Sequence, residues 1–218
     1  MLRLIGALVF AYLVGSIPTG VLVGRLRGGI DIRDHGSGGS GGTNAVRVLG
    51  WGPGIAVIAV DLLKGYLGAR IGASLAGAAV GLEPEVVAAL AGLCTVIGHV
   101  FPLYARFRGG KGVAPAAGVL LAVDPAALAI AVTSFVVLLG ASRIVSVASI
   151  GSSISLFLVL AVLLWVVGRD ISDSLLVLSL TLSVIITVAH RANLARLIAG
   201  AEPTLGRPKS GPTEPRSG

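Results

Sequence analysis

Apolar runs near twenty residues long recur from one end of the 218-residue chain to the other, with short polar stretches between them. About twenty helical residues cross the roughly 30 Å hydrocarbon core of a bilayer. The pattern predicts helices near 4–24, 53–75, 86–105, 112–123, 126–140, 144–167 and 174–190. The fourth, GVAPAAGVLLAV, is short: at ~1.5 Å per residue it covers about 18 Å, little more than half the core. Asp124-Pro125 separates it from the fifth, and Pro115 is placed to start or kink it. Five or six spans is the competing count, with 112–140 as one long bent helix. The first run, LIGALVFAYLVGSIPTGVLVG, looks like a signal peptide. It has no convincing cleavage site and further spans follow it, so it is read as a retained helix.

Composition strengthens the pattern. The chain is 55% hydrophobic and 12% charged, with a mean hydropathy of +0.95; a soluble domain carries about twice that charged share. The expected fold is all-α, a polytopic membrane helix bundle of about seven transmembrane helices, because lipid cannot satisfy the backbone groups of an open sheet. A single membrane-embedded domain over 1–205 is expected to precede a flexible polar tail at 206–218. Charge then sets an orientation. With seven spans, 13 of the 17 Lys and Arg fall on one side: Arg25, Arg27, Arg33, Arg47, Arg106, Arg108, Lys111, Arg143, Arg191, Arg196, Arg207, Lys209 and Arg216. The opposite loops hold Glu83, Glu85, Asp124, Asp170 and Asp173, with Arg3, Arg70 and Arg169. Basic short loops mark the cytoplasmic side, which puts the N-terminus outside and the C-terminus in the cytoplasm. The net charge of +7 follows from topology and anionic-lipid contact and does not point to nucleic acid. Cys94 stands alone, which excludes an intramolecular disulfide. His35, His99 and His190 lack metal-ligand spacing, and no metal or cofactor is expected.

The polar segments rich in functional side chains all return to the basic side. The first is DIRDHGSGGSGGTNAVR, 31–47. It contains G-x-G-x-x-G as Gly36, Gly38 and Gly41, and Asp61 follows twenty residues later as in a dinucleotide fingerprint. That reading needs a strand before the glycines, and Asp61 lies within an apolar helix instead. A flexible linker does not need Ser37, Thr43, Asn44 and Arg47 at its margins. With Thr43 or Asn44 as N-cap of the next helix, the loop presents free N–H groups to an anion, and Arg47 adds a charge-assisted contact. The second segment, FRGGKGVAP, places Gly109, Gly110 and Gly112 around Lys111 before another helix start. It is not a Walker A loop, since Ala105 and Gly112 stand where Gly and Ser or Thr are required; Lys111 meets a phosphate as a point charge. The third, AHRANLARLIAGAEP, puts His190 and Asn193 on one helix face, continued by Arg196, with Glu202 beyond. Arg143, Ser146 and Ser149 stand at the same entry of the sixth span, and Asp61 and Lys64 form an i,i+3 pair inside the second, where charges are costly and usually paired or functional.

Together these blocks resemble the bacterial acyl-phosphate:glycerol-3-phosphate acyltransferases, integral membrane enzymes of early phospholipid synthesis. The resemblance is carried by 15–50, 98–122 and 189–203, with DLLKG at 61–65 and SRIVSVASI at 142–150, and leaves out only the tail after about 205. It implies transfer of a fatty acyl group from acyl phosphate to the 1-hydroxyl of glycerol 3-phosphate, at the cytoplasmic face of the bacterial plasma membrane. It assigns Gly36, Ser37, Gly38, Thr43, Asn44 and Arg47 to a first part of the site, Gly109 to Gly112 to a glycerol 3-phosphate loop, and His190, Asn193 and Glu202 to a third, with Arg143 beside them. Ser37, Arg47, His190 and Asn193 are the catalytic candidates. The chain departs from the family pattern at Gly39, where Asn is usual, and at Gly41, Gly42, Pro115 and Ala192. His190 and a substrate phosphate are both candidate proton acceptors. The His-x4-Asp chemistry of other acyltransferases is excluded, since Ser40, Tyr104 and Ala195 follow the three histidines at that spacing. Membrane lipid is the surrounding partner, and the oligomeric state stays open, a monomer included. The rival function is a small transporter or channel using Asp61 and Lys64 as an intramembrane relay.

Overall fold

The computed structural model describes residues 1–77 and 81–205; the expected tail at 206–218, with Arg207, Lys209 and Arg216, lies outside the described residues. All regular structure among the described residues is helical. Ten α-helices follow one another: α1 (Leu2–Gly15), α2 (Thr19–Gly28), α3 (Gly42–Leu49), α4 (Trp51–Ala76), α5 (Pro84–Val100), α6 (Val113–Val123), α7 (Pro125–Ser142), α8 (Val145–Trp165), α9 (Asp173–Ala189) and α10 (Arg191–Ile198).

Each of the seven predicted segments contains a helix, and local chemistry accounts for most boundaries. The first segment is broken at Ser16–Pro18, where proline supplies no amide hydrogen. The Ile17 carbonyl exposed by the break accepts a hydrogen bond from Lys64 Nζ at 3.0 Å. Gly29, at φ 64°, ends α2 in the left-handed region. Asp124 caps α7 by accepting hydrogen bonds from the amides of Ala126 and Ala127 at 2.8 and 2.9 Å, and Pro125 occupies the first helical position. This confirms the break between the fourth and fifth segments. Pro115 falls within the first turn of α6, which begins at Val113 without a kink there. At the start of α3 the expected cap differs. Gly41 is the N-cap, not Thr43 or Asn44, because the Asn44 side chain turns back into the preceding loop.

Among the described residues, four helical stretches are long and apolar enough to cross a membrane: Leu2–Gly28, Pro84–Ala105, Pro125–Ser142 and Val145–Trp165. A fifth follows if α9 and α10, bent by 61°, count as one. α4 is 26 residues long, about 39 Å at ~1.5 Å per residue. Asp61, Lys64 and Arg70 lower its apolarity. α6 has only 11 residues. Large apolar side chains lie open on the outer surface, including Val132, Val136 and Val137 on α7 and Val177 and Val184 on α9.

Small residues hold the helices together, as membrane interiors require when no hydrophobic force separates helix from lipid. Gly15 and Gly98 let α1 and α5 meet at backbone distance, and Gly68 on α4 lies over Thr95 of α5. Gly118 of α6 packs on the Leu62 carbonyl of α4, and Gly65 of α4 on the Pro115 carbonyl of α6. The main apolar core joins Val96, Val119, Leu120, Leu156, Leu178, Leu182 and Ile186, from α5, α6, α8 and α9. The short α6 is preceded directly by the glycine-lysine loop.

Candidate active site

The loop before α3 is built around one amide. Asn44, 3% exposed, accepts hydrogen bonds from Ser37 N at 2.7 Å and Ser37 Oγ at 3.1 Å. Its Nδ2 donates to the carbonyls of Ile32 and Gly39 at 2.8 Å and of His35 at 3.2 Å. Gly36 and Gly38, at φ 63° and 76°, make the turn possible. A Cβ on Gly36 would lie 2.3 Å from Asn44 Oδ1, so the loop closes directly onto the amide. Asn44 therefore organises the loop with both ends of its side chain, while Ser37, Thr43 and Arg47 are left facing a cavity. At Gly39, where the resemblance leads to an expectation of Asn, a Cβ would meet nothing within 4 Å.

The second loop is braced from outside. Asp31 accepts both nitrogens of one edge of Arg33, Nε at 3.0 Å and Nη2 at 2.6 Å. The Arg33 hydrogen bond holds the Asp31 carboxyl down at about 2. Arg33 Nη1 donates to the carbonyls of Ala105 and Arg108 at 2.9 and 3.1 Å. Between these anchors Arg106 and Phe107 both adopt left-handed φ, 54° and 58°, a conformation that costs free energy for non-glycine residues. The chain then enters Gly109–Gly112, and Ser40 N reaches the Gly109 carbonyl at 3.5 Å, so the two glycine loops touch. Gly112, at φ 81°, is the N-cap of α6. Lys111 is half-buried beside them. Burial lowers its pKa from 10.5 to about 8, with Glu202 opposing the shift and Arg196 and Arg47 adding to it.

The third segment folds back on the site. His190, 2% exposed, donates from Nδ1 to the Ile186 carbonyl at 2.8 Å, because a carbonyl can only accept. The neutral ring then keeps its lone pair on Nε2. After α10 the chain turns at Gly200, φ 66°, and brings Glu202 inward. The buried Glu202 carboxylate accepts hydrogen bonds from Asn193 Nδ2, Ser146 Oγ at 2.8 Å and Arg196 Nε at 2.8 Å. Burial opposes its ionisation, but the hydrogen bonds from Asn193, Ser146 and Arg196 together hold its pKa below the usual range.

These segments surround one cavity of about 400 Å³. Its polar end is lined by Ser37, Thr43, Arg47, Lys111, His190 and Asn193, with Asn44, Ser146, Ser149 and Glu202 behind them. Leu120, Leu128, Phe135, Leu156, Leu182 and Ile186 line the remainder between α6, α7, α8 and α9. A strongly polar head and an apolar body thus share one enclosure, as an amphiphile requires.

Comparison with known proteins shows the family. The family model for glycerol-3-phosphate acyltransferase matches residues 5–200. The chain belongs to the glycerol-3-phosphate acyltransferase family. Among relatives of that name, the Chlorobium phaeobacteroides protein is 42% identical over 93% of this chain and 96% of its own. That of Pelodictyon phaeoclathratiforme is 40% identical over the same shares. Among solved structures, the integral membrane glycerol 3-phosphate acyltransferase PlsY in its glycerol 3-phosphate form matches with a TM-score of 0.80 and 36% identity, over 93% of this chain and 96% of that one. Its lysophosphatidic acid form matches with a TM-score of 0.77 at the same identity, over 93% and 95%. This acyltransferase-family chain is accordingly a multi-pass integral membrane protein.

Not every residue singled out in the sequence reaches the cavity. Gly36, Gly38 and Gly109 shape the loops from behind. Arg143 is exposed, ends α7 in the left-handed region at φ 56°, and uses its carbonyl to accept the Leu205 amide at 2.7 Å. The sequence pattern assigns neither His99 nor Asp61 to the acyl-transfer site, and counts Arg33 only among the basic loop residues. His99 and Asp61 line the cavity wall. Their spacing carries no signal of this, since 38 positions of sequence separate them.

Proposed function

We propose that this chain transfers a fatty acyl group from acyl phosphate to the 1-hydroxyl of sn-glycerol 3-phosphate, releasing 1-acyl-sn-glycerol 3-phosphate and inorganic phosphate. The observation that carries the reading is a cavity with Arg47 and Lys111 at one end and an apolar body between α6 and α9. Two phosphates and an acyl chain must meet there, and positioning plus charge stabilisation are the main demands of a substrate that is already activated. Lys111 and the glycine amides hold the glycerol 3-phosphate. Arg47 and Thr43 hold the acyl phosphate, and the acyl chain lies along Leu128, Phe135 and Leu182.

In the reaction the glycerol oxygen bonds to the acyl carbon, the carbon–oxygen bond to the leaving phosphate breaks, and the hydroxyl proton ends on the released phosphate. His190 Nε2 accepts the hydrogen bond that orients the hydroxyl. Its Nδ1 is tied to a backbone carbonyl rather than a carboxylate, so the buried ring has no anionic partner at Nδ1 for an imidazolium. A substrate phosphate, with a second pKa near ~6, serves as the proton acceptor. Asn193, held by Glu202, orients the same oxygen.

The chain forms one membrane-embedded domain over 1–205, with seven spans, the N-terminus outside and the cavity's polar end at the cytoplasmic face of a bacterial plasma membrane. A transporter built on Asp61 and Lys64 fits less well, since both charges are buried against each other at 2.9 Å. Purified protein supplied with labelled glycerol 3-phosphate and acyl phosphate, acyl-CoA or acyl carrier protein tests the proposal. Lyso-product from acyl phosphate is expected. No product from any donor would defeat the enzyme reading, and product from acyl-CoA alone would defeat the donor assignment.

A further inference from the structure

Three buried polar side chains, two of them in the cavity wall, take no part in the reaction described above. Asp61 and Lys64 of α4 are 1% and 5% exposed, and His99 near the end of α5 is 6% exposed. Lys64 Nζ stands 2.9 Å from Asp61 Oδ1, and His99 Nδ1 stands 3.7 Å from the same oxygen. Neither carboxylate oxygen of Asp61 accepts a hydrogen bond of regular geometry. Lys64 also reaches across to the Ile17 carbonyl at the break between α1 and α2. The group thus fixes α4 to the first span on one side and to α5 on the other. Buried charges inside a membrane helix are retained when they are paired or have work to do.

What His99 touches on its far side gives the group its role. The glycine-lysine loop is wrapped around this residue. Gly110 N donates to the His99 carbonyl at 3.1 Å. A Cβ on Gly109 would lie 2.1 Å from that carbonyl oxygen, and a Cβ on Gly110 would lie 2.2 Å from His99 Nε2. Real Cβ atoms do not approach so closely, so the His99 ring requires glycine at 110, while the His99 carbonyl, with Pro102 and the Val100 carbonyl, requires it at 109. Lys111 is the next residue in the chain.

We propose that Asp61, Lys64 and His99 form a buried positioning triad that seats the Gly109–Gly110 backbone and thereby aims Lys111 at the phosphate of the acceptor substrate. Asp61 faces the imidazole, His99 supports the loop, and Lys64 pairs with Asp61 while anchoring it to the first span. The glycines are needed for their approach to His99, before any approach to a phosphate. The inference rests on the acyltransferase reading and refines how its acceptor site is built.

Steady-state kinetics on the full chain in detergent test it, with glycerol 3-phosphate varied at saturating acyl phosphate. Wild-type turnover checks the reading beneath the inference, because a wild-type protein that makes no product with any donor defeats that reading, whatever the variants do. His99→Ala and Gly110→Ala are each expected to raise the KM for glycerol 3-phosphate by about tenfold or more, with kcat lowered by less than about threefold. The double variant is expected to be no worse than Gly110→Ala alone, because removing the imidazole makes room for the added methyl; contacting residues couple in this way. Asp61→Asn, which keeps the side-chain shape, is expected to move KM in the same direction and supplies the same readout if His99→Ala fails to fold. Effects of His99→Ala and Gly110→Ala that simply multiply would overturn the proposal. A fall in kcat at unchanged KM, in either His99→Ala or Asp61→Asn, would also overturn it.

Discussion

At the scale of single residues, chemistry read from side-chain type and chemistry decided by surroundings part company at two positions. Lys111 is a lysine whose ammonium is its phosphate-binding form, yet burial brings its pKa to about 8. As pH rises past that value the free protein loses the charge proposed to attract glycerol 3-phosphate. The expected outcome is a KM for glycerol 3-phosphate that climbs by up to about tenfold per pH unit above ~8, while kcat holds, because a bound phosphate returns the proton to lysine. Initial-rate measurements between pH 7 and 9.5 check this, and a flat KM would defeat it. The fold itself is not the cause. A lysine whose pKa is 10.5 when unfolded and about 8 when folded is a base that the unfolded chain protonates more, so its contribution to stability improves, not worsens, as pH rises through that window. The second position is Asn44. Its identity suggested an N-cap or a ligand contact, and only its five partners' positions reveal a loop organiser. Ser37, Arg47 and Lys111 were legible because few bland roles suit such side chains amid glycine; Asn44 has several suitable roles, and the fold selects among them.

At the scale of elements, the spans were legible from hydropathy because run length is a local property. Their mutual approach was not. Composition says only that small residues are plentiful, with 32 glycines in the chain; contact says which of them matter. A Cβ on Gly118 would lie 1.9 Å from the Leu62 carbonyl, and one on Gly65 would lie 2.1 Å from the Pro115 carbonyl. Either methyl forces α4 and α6 apart, with an expected cost of about 1–3 kcal/mol. Gly118→Ala and Gly65→Ala should each lower the melting temperature in detergent by roughly 2–10 °C, with less-than-additive effects in the pair because both act on one interface. Gly6 offers the control, since a Cβ there meets nothing within 4 Å and it lies exposed in α1. Gly6→Ala should leave the melting temperature unchanged or raise it slightly, as helix propensity favours alanine. Equal losses at Gly6 and Gly118 would show that helix propensity, not interhelical distance, governs these glycines.

At the scale of the whole molecule, the proposed orientation can be read from two exposed positions outside the cavity. Single cysteines at Asp170→Cys, between α8 and α9, and at Arg27→Cys, in the last turn of α2, are placed in a Cys94→Ala background. With an impermeant maleimide on intact cells, the first should label and the second only after permeabilisation. The reverse pattern would invert the topology and move the cavity's polar end to the outside. The amino-acid sequence by itself determined the helical class, the membrane solvent and the set of polar side chains available for chemistry, because hydropathy, charge and glycine placement act over neighbouring residues. It also carried enough motif order to indicate the family. Only the tertiary structure decided that Ser37, Lys111, His190 and Glu202 share one enclosure, that Arg143 stands outside it, and that Asp61 lies behind the loop that carries Lys111. Those facts depend on contacts between segments far apart in the chain, where side-chain volume and backbone approach, rather than residue type, determine what can meet.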